Sequence, residues 1–207
     1  MRDPELHEPF HDLARQRETD RFGMWLFLAS EIMLFGGIFA ASIGLRVVHP
    51  RAYVAASQAL HLWLGTANTA VLLTSSLLVA LAVEAAKSGR PKRVAWLFIG
   101  AALLGLAFAA IKGTEYWLEY REGLMPGLSD AAIESGAQRL FMDLYFVSTG
   151  LHAVHLTIGV VLLLTLAARA LADKLEGMTA SNVALYWHLV DIVWIFLFPT
   201  LYLARPA

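Results

Sequence analysis

The chain has 207 residues, a formal net charge of −1 and no cysteine. Hydrophobic residues make up 58% of it and charged residues 16%, whereas soluble domains average about 45–50% and about 25%. A chain of this size cannot bury so much apolar surface in water, so the composition predicts an integral membrane protein. The lack of cysteine excludes disulfides, cysteine-bound zinc and iron–sulfur clusters. The charge balance gives no case for a nucleic-acid partner.

The chain divides into a polar start and an apolar remainder. Residues 1–21 contain no apolar run, so we predict a polar N-terminal tail rather than a cleavable signal peptide. Residues 22–207 are predicted to form one membrane domain of five helices, because five windows are long enough to cross about 30 Å of hydrocarbon. Membrane strands would be shorter and would alternate apolar with polar residues. The predicted spans are 22–45, 59–83, 94–117, 140–168 and 181–203.

Basic residues are unequally distributed between the two sides of this predicted bundle. The N-terminal segment and the second and fourth connections carry more Lys and Arg than the other connections and the C-terminal end. The positive-inside rule therefore predicts a cytoplasmic N-terminus and a C-terminus outside. The one long connection, residues 119–138, would then lie outside, where an ordered loop could meet a partner.

Small residues recur every four positions on two predicted helices. They are Gly36, Ala40 and Gly44 on the first helix, and Ala101, Gly105, Ala109 and Gly113 on the third. This spacing lets helix backbones approach closely in a lipid environment. We therefore expect both stripes to lie at helix–helix contacts.

Glu31 is an ionisable group at membrane depth, where such groups are costly. Buried without a cation, its carboxyl would tend to hold a proton near neutral pH. One interpretation is a proton-responsive carboxyl in or near a conduction route. The other is a protonated acid that hydrogen-bonds to a neighbouring helix, and the sequence leaves both open.

Two further pairs of polar residues lie at membrane depth. His152 and His155 share one helix face because they are three residues apart, and so do His188 and Asp191. With the fourth helix running inward and the fifth outward, both pairs would lie near the depth of Glu31, so a shared network is geometrically possible. Interhelical hydrogen bonds, worth about 0.6–2 kcal/mol each, are the favoured interpretation of the histidines.

No metal, haem or catalytic residue is predicted in this chain. A bis-histidine haem needs two facing ligands. His61 is predicted near the outer end of its helix, whereas His152 and His155 are predicted deeper in the membrane, so His61 would face neither of them. A carboxylate di-metal site in a bundle needs several Glu and Glu-x-x-His pairs, which the sequence lacks. It also lacks a phosphate-binding G-x-x-x-x-G-K-[ST] loop and a G-x-S-x-G nucleophile elbow.

Several stretches resemble subunit III of the haem–copper respiratory oxidases, which include cytochrome c oxidase and ubiquinol oxidase. They are FLASEIMLFGGIFAA at 27–41, NTAVLLTSS at 68–76, KGTEYWLEY at 112–120, LYFVSTGLHAVHLTIGV at 144–160 and YWHLVDIVWIFLFPTLYL at 186–203. Glu31 occupies the place of the family's carbodiimide-reactive carboxylate. Quinol-oxidase members often carry Asp there, which favours a cytochrome c oxidase.

The resemblance implies the five-helix bacterial form, in the plasma membrane, with the N-terminus in the cytoplasm. Subunit III of this family holds no haem or copper, which belong to partner subunits. It packs beside the catalytic subunit I, binds phospholipid in a cleft, and supports proton uptake and stable turnover. By this analogy the first two spans would form one side of the cleft and the last three the other, with Glu31 on or near its wall.

Three other functions remain as alternatives. The chain could be a subunit-III-like partner of a nitric oxide reductase, which the identity of its co-purifying subunits would reveal. It could be a b-haem electron carrier that uses His61 with His152 or His155, which a haem spectrum of the isolated chain would reveal. A small transporter would need helices broken at the midplane, whereas the one proline inside a predicted span, Pro199, lies near its end.

Overall fold

The computed structural model describes residues 13–128, 131–175 and 177–204. These residues form helices and connections, with no strand among them. All the helices except the short α2 are long and apolar enough to cross a membrane, which confirms the predicted all-α fold with five spans. The helices are α1 (Leu13–Val48), α2 (Pro50–Gln58), α3 (Leu62–Lys87), α4 (Pro91–Arg121), α5 (Gly136–Leu171) and α6 (Gly177–Tyr202).

The helices differ from the predicted windows at the start of α1, in the first connection and at the start of α5. α1 begins at Leu13, inside the segment predicted as a polar tail. α2 lies in the first connection, where Pro50 occupies the first turn, a position for which its fixed φ and missing N–H are suited. At the start of α5, the Ser135 side chain accepts a hydrogen bond from the Gln138 backbone N–H. The connection between α4 and α5 is therefore shorter than the predicted 119–138.

The four helices α3 to α6 form a closed bundle, in which α3 packs against α4 and α6, and α5 packs against α4 and α6. α1 lies outside this bundle, over the seam between α5 and α6. The structure therefore contradicts the predicted grouping of the first two spans against the last three. A face of α6 stays exposed between α1 and α3, and its large apolar residues are Leu185, Ile192, Ile195 and Phe196. We call this face, with the helices α1 and α3 on either side, the α6 groove.

The two small-residue stripes have different environments. On α4, a Cβ placed on Gly105 would lie 2.8 Å from Cη2 of Trp187, so this glycine does allow close packing. On α1, Gly36 and Gly44 have no described atom within 4 Å of such a Cβ, and Ala40 is exposed. The expectation is confirmed at Gly105 and at the buried Ala101. It is wrong for Ala109 and Gly113, which are exposed, and for the α1 stripe, whose residues face away from the bundle.

α2 ties the first connection to the end of the last helix. The final carbonyls of a helix have no partner within the helix, and two side chains of α2 donate to those of α6. Tyr53 Oη donates to the Thr200 carbonyl at 2.9 Å, and Ser57 Oγ donates to the Leu201 carbonyl at 2.5 Å. Burial raises the pKa of the Tyr53 phenol above its usual value.

Candidate functional site

Glu31 forms a direct contact with one of the predicted histidines. Glu31 Oε2 lies 2.8 Å from His155 Nε2, which joins α1 to α5. Both side chains are largely buried, with exposures of 13% and 12%. Tyr186 of α6 donates its hydroxyl proton to the His155 carbonyl at 2.9 Å. The pair therefore lies at the seam where α1 covers α5 and α6.

The hydrogen bonds of His155 fix how many protons this pair holds. His155 Nδ1 lies 2.8 Å from the Leu151 carbonyl, which can only accept, so Nδ1 carries a proton. The bond between Nε2 and Glu31 Oε2 then contains one further proton. With that proton on histidine the pair is imidazolium and carboxylate; with it on Glu31 both groups are neutral. Either arrangement has no net charge, so the buried contact leaves no charge uncompensated.

His188 and Asp191 belong to a second polar group, on the α3 side of the α6 groove. His188 Nδ1 lies 2.8 Å from Ser76 Oγ, a hydrogen bond that joins α6 to α3. Asp191, one turn further along α6, is buried, and neither of its carboxylate oxygens has a hydrogen-bond partner among the described residues. This group contacts neither Glu31 nor His155 through any hydrogen bond of the described residues.

His152 lies in a third, aromatic environment. Its ring centroid is 5.5 Å from that of Phe108 and 5.2 Å from that of Trp194. Neither ring nitrogen has a hydrogen-bond partner among the described residues. The structure thus brings Glu31 together with His155 and places His152, and the pair His188 and Asp191, in separate surroundings.

A buried ionic cluster, which the sequence analysis did not single out, joins α4, α5 and α6 near the end where α4 and α6 terminate. Lys112 Nζ lies 3.0 Å from Glu115 Oε2, and 2.6 Å from the hydroxyls of both Tyr145 and Tyr202. Tyr145 donates to Glu119 Oε1 at 2.6 Å, and Tyr202 donates to Glu115 Oε1 at 2.7 Å. Both glutamates have no exposed surface. We call these five residues the Lys112 cluster.

The Lys112 cluster was missed because Lys112 and Glu115 lie in the last turns of the predicted span 94–117, directly after an uninterrupted apolar window, where charged residues are common. A local signal was present: Lys112, Glu115 and Glu119 are spaced by three and four residues, which places them on one helix face. Three charges on one face at the end of an apolar window are costly unless they pair with each other. The two tyrosines that complete the cluster come from other helices, so no local pattern could identify them.

The described residues contain no group of three or more His, Asp or Glu side chains arranged to hold a metal ion.

The model for the cytochrome c oxidase subunit III family matches residues 8–205. The chain belongs to this family. It is a multi-pass bacterial membrane protein, and as a subunit III of the haem–copper oxidases it associates with an oxidase complex.

Individual relatives support the assignment along the whole chain. The cytochrome bo(3) ubiquinol oxidase subunit 3 of Pseudomonas aeruginosa is 30% identical over 96% of this chain and 93% of its own length. The probable cytochrome c oxidase subunit 3 of Nocardia farcinica is 33% identical, over 94% and 92%. These two subunit III proteins are thus named after different electron donors, a quinol and cytochrome c.

A third relative is a fusion protein. The heme-copper oxidase subunit I+III of Aeropyrum pernix is 32% identical over 95% of this chain, which corresponds to 23% of the length of that relative. By its name, that polypeptide combines a subunit III with a subunit I.

Proposed function

We propose that this chain is a non-catalytic subunit of a proton-pumping haem–copper terminal oxidase, in direct contact with the catalytic subunit I. It carries no haem, copper or other redox centre, and these belong to its partners. It binds phospholipid and supports proton uptake and the stability of subunit I. The fused relative supports the direct contact, because two parts of one polypeptide remain at high effective concentration.

The observation that carries the proposed proton role is the contact between Glu31 and His155. The pair shares one proton between its Oε2 and Nε2 atoms and is neutral in either arrangement. Because transfer of this proton between the two atoms leaves the net charge of the pair unchanged, the pair can serve as one step of a proton route inside the membrane. It lies beneath α1, the helix that packs least completely on the rest of the bundle. Glu31 is accordingly our candidate for a proton-responsive residue.

The α6 groove supports the proposed lipid role. Its floor exposes Ile192 and Phe196, at 49% and 59%, with α1 on one side and α3 on the other. Phe39 of α1 packs against Phe196 with ring centroids 6.3 Å apart, which marks the α1 edge of the groove. An apolar groove between membrane helices fits acyl chains, and phospholipid tails are therefore the occupant that we propose.

The subunit role is tested by purifying the native complex through an affinity tag on this chain. We expect a haem–copper oxygen-reducing subunit to co-purify, together with bound phospholipid detected by mass spectrometry. After dissociation, the isolated chain should show no haem spectrum. A b-haem spectrum from this chain would contradict the proposal in favour of an electron carrier. Co-purification of a nitric oxide reductase instead would identify the other alternative.

The proton role is tested with Glu31→Gln in the assembled complex. The amide keeps the size of the side chain but cannot exchange the shared proton. We expect normal assembly, a partial fall in turnover, and earlier inactivation during sustained turnover. Glu84→Gln, which changes an exposed glutamate on α3, is the matched control and should behave like the unmodified complex. Complete loss of oxygen reduction in assembled Glu31→Gln complex would contradict an accessory role.

A further inference from the structure

The hydrogen bonds of the Lys112 cluster can be assigned donor by donor. The ammonium of Lys112 has three protons, and three acceptors surround it: Glu115 Oε2 and the hydroxyls of Tyr145 and Tyr202. Each phenol accepts from lysine and donates its own proton onward, to Glu119 and Glu115 respectively. Both oxygens of Glu115 therefore accept hydrogen bonds, one of them from the cation. Glu115 is the counter-charge of Lys112.

Glu119 differs from Glu115 in its hydrogen bonds and has no counter-charge of its own. Its Oε1 accepts from Tyr145, whereas its Oε2 has no partner among the described residues. The side chain is entirely buried. One ammonium neutralises one carboxylate, so a second ionised carboxylate would leave an uncompensated negative charge inside the membrane domain. Such a charge is far more costly than a neutral carboxylic acid at the same place.

We propose that Glu119 is a proton-binding site, which holds one proton on Oε2 while Glu115 stays ionised against Lys112. The ligand of this site is the proton itself. The charged and titratable groups that face it come from three helices. They are Lys112, Glu115 and Tyr116 of α4, Glu122 directly after α4, Tyr145 of α5 and Tyr202 of α6. Among these, Lys112 alone is a cation, and its donors are all used. The proposal rests on this local geometry and not on the oxidase role.

Loss of the proton would have a mechanical consequence. The Lys112 cluster holds α4, α5 and α6 together, and deprotonation of Glu119 would give it a net charge of one negative unit in a buried place. The junction of the three helices would then weaken. Binding of a proton by Glu119 is therefore coupled to the packing of this end of the bundle.

Infrared spectroscopy of the purified complex tests the proposal. The carbonyl stretch of a protonated carboxylic acid is separate from the bands of a carboxylate, and it shifts in deuterated water if the proton exchanges. We expect the difference between the unmodified and Glu119→Gln complexes to show loss of a protonated-acid band at neutral pH. Glu84→Gln, the exposed glutamate on α3, is the matched control and should lose only carboxylate bands.

A second measurement uses the retention of this subunit in the complex. Glutamine has the size and neutrality of the protonated acid and keeps an acceptor for Tyr145, so Glu119→Gln should assemble and be retained like the unmodified chain. If Glu119→Gln instead removes a carboxylate band, the residue is ionised and the proposal is wrong. Failure of Glu119→Gln to assemble would also overturn it, because a neutral isostere should be tolerated.

Discussion

A Cβ on Gly159 would lie 2.7 Å from Cε3 of Trp187, so the indole ring of α6 occupies the place of the missing side chain on α5. The same ring lies against Gly105 of α4 and has no exposed surface. Trp187 therefore fills the space at the centre of the bundle, and two glycines on two different helices make that space available.

The first prediction concerns this contact. Gly159→Ala should destabilise the protein by about 1–3 kcal/mol, because a rigid buried ring cannot move away from the new methyl group. The measurement is thermal denaturation of the purified complex, monitored as the fraction of this subunit that stays bound. Gly150→Ala is the control on the same helix, since its Cβ would meet no described atom within 4 Å. The control should be neutral or slightly stabilising, and equal losses in both variants would disprove the packing argument.

The second prediction concerns the hydrogen bond between α3 and α6. His188→Leu and Ser76→Ala should each reduce stability by about 1 kcal/mol, the usual worth of an interhelical hydrogen bond in a membrane. Because both substitutions remove the same bond, the double variant should lose less than the sum of the two. Thr74→Ala is the control, since this exposed side chain donates to the Ala70 carbonyl of its own helix and, among the described residues, to no other helix. Strict additivity would show that the two residues do not interact.

The third prediction concerns the cation of the Lys112 cluster. Lys112→Met should destabilise the protein by about 3–5 kcal/mol, because it leaves a buried carboxylate without its counter-charge. Adding Glu115→Gln to this variant should restore part of the loss by removing that charge. Lys87→Met is the control, since Lys87 pairs with Glu84 on the surface and its loss should change stability by less than about 0.5 kcal/mol. The retention of this subunit in the heated complex measures the stability of each variant. Similar losses for Lys112→Met and Lys87→Met would contradict the prediction.

The fourth prediction is a pH dependence at α2. Burial raises the pKa of Tyr53 in the folded protein, so folding favours the neutral phenol. Its contribution to stability is complete below the usual tyrosine pKa of about 10 and decreases as the pH rises through the higher folded value. The stability advantage of the unmodified chain over Tyr53→Phe should therefore shrink above about pH 10. Thermal denaturation at neutral and alkaline pH measures this stability difference. A difference that does not change with pH would contradict the predicted role of the Tyr53 phenol.

The fifth prediction concerns orientation, which follows from the distribution of basic residues. The chain has no cysteine, so a single introduced cysteine reports its own side of the membrane. In intact cells, an impermeant thiol reagent should label Leu128→Cys in the connection between α4 and α5. It should leave Ser88→Cys unlabelled until the membrane is permeabilised. The reverse pattern would show that the bundle is inverted.

Hydropathy predicted the five membrane helices because the property that defines them is local. An apolar window of sufficient length is visible without knowledge of any neighbour. The helices α1, α4 and α5 each contain a predicted window, and α3 and α6 overlap theirs except for one to three residues at one end. α2 was not predicted, since it is short and its stability depends on bonds from Tyr53 and Ser57 to the distant end of α6. Its nine residues are too few, and on average too polar, to form an apolar window of membrane length.

The polar sites show the same division between local and distant information. Ionisable residues are rare at membrane depth, and this alone was enough to select Glu31 and His155, which form a direct contact in the structure. Spacing alone could not show that His152, three residues from His155, faces Phe108 and Trp194 instead. Partner choice depends on how the helices rotate about their axes, and that rotation is decided by packing across the whole bundle.

The bonds from α2 to the last carbonyls of α6 also constrain how the protein is made. Chains are synthesised from the N-terminus, so α1 and α2 leave the ribosome long before Thr200 and Leu201 exist. Their final attachment, together with the seam that α1 forms on α5 and α6, has to wait until the last span has entered the bilayer. α1 is thus inserted before α6 but attached only after it, and a nascent chain stalled before α6 would leave α1 unattached.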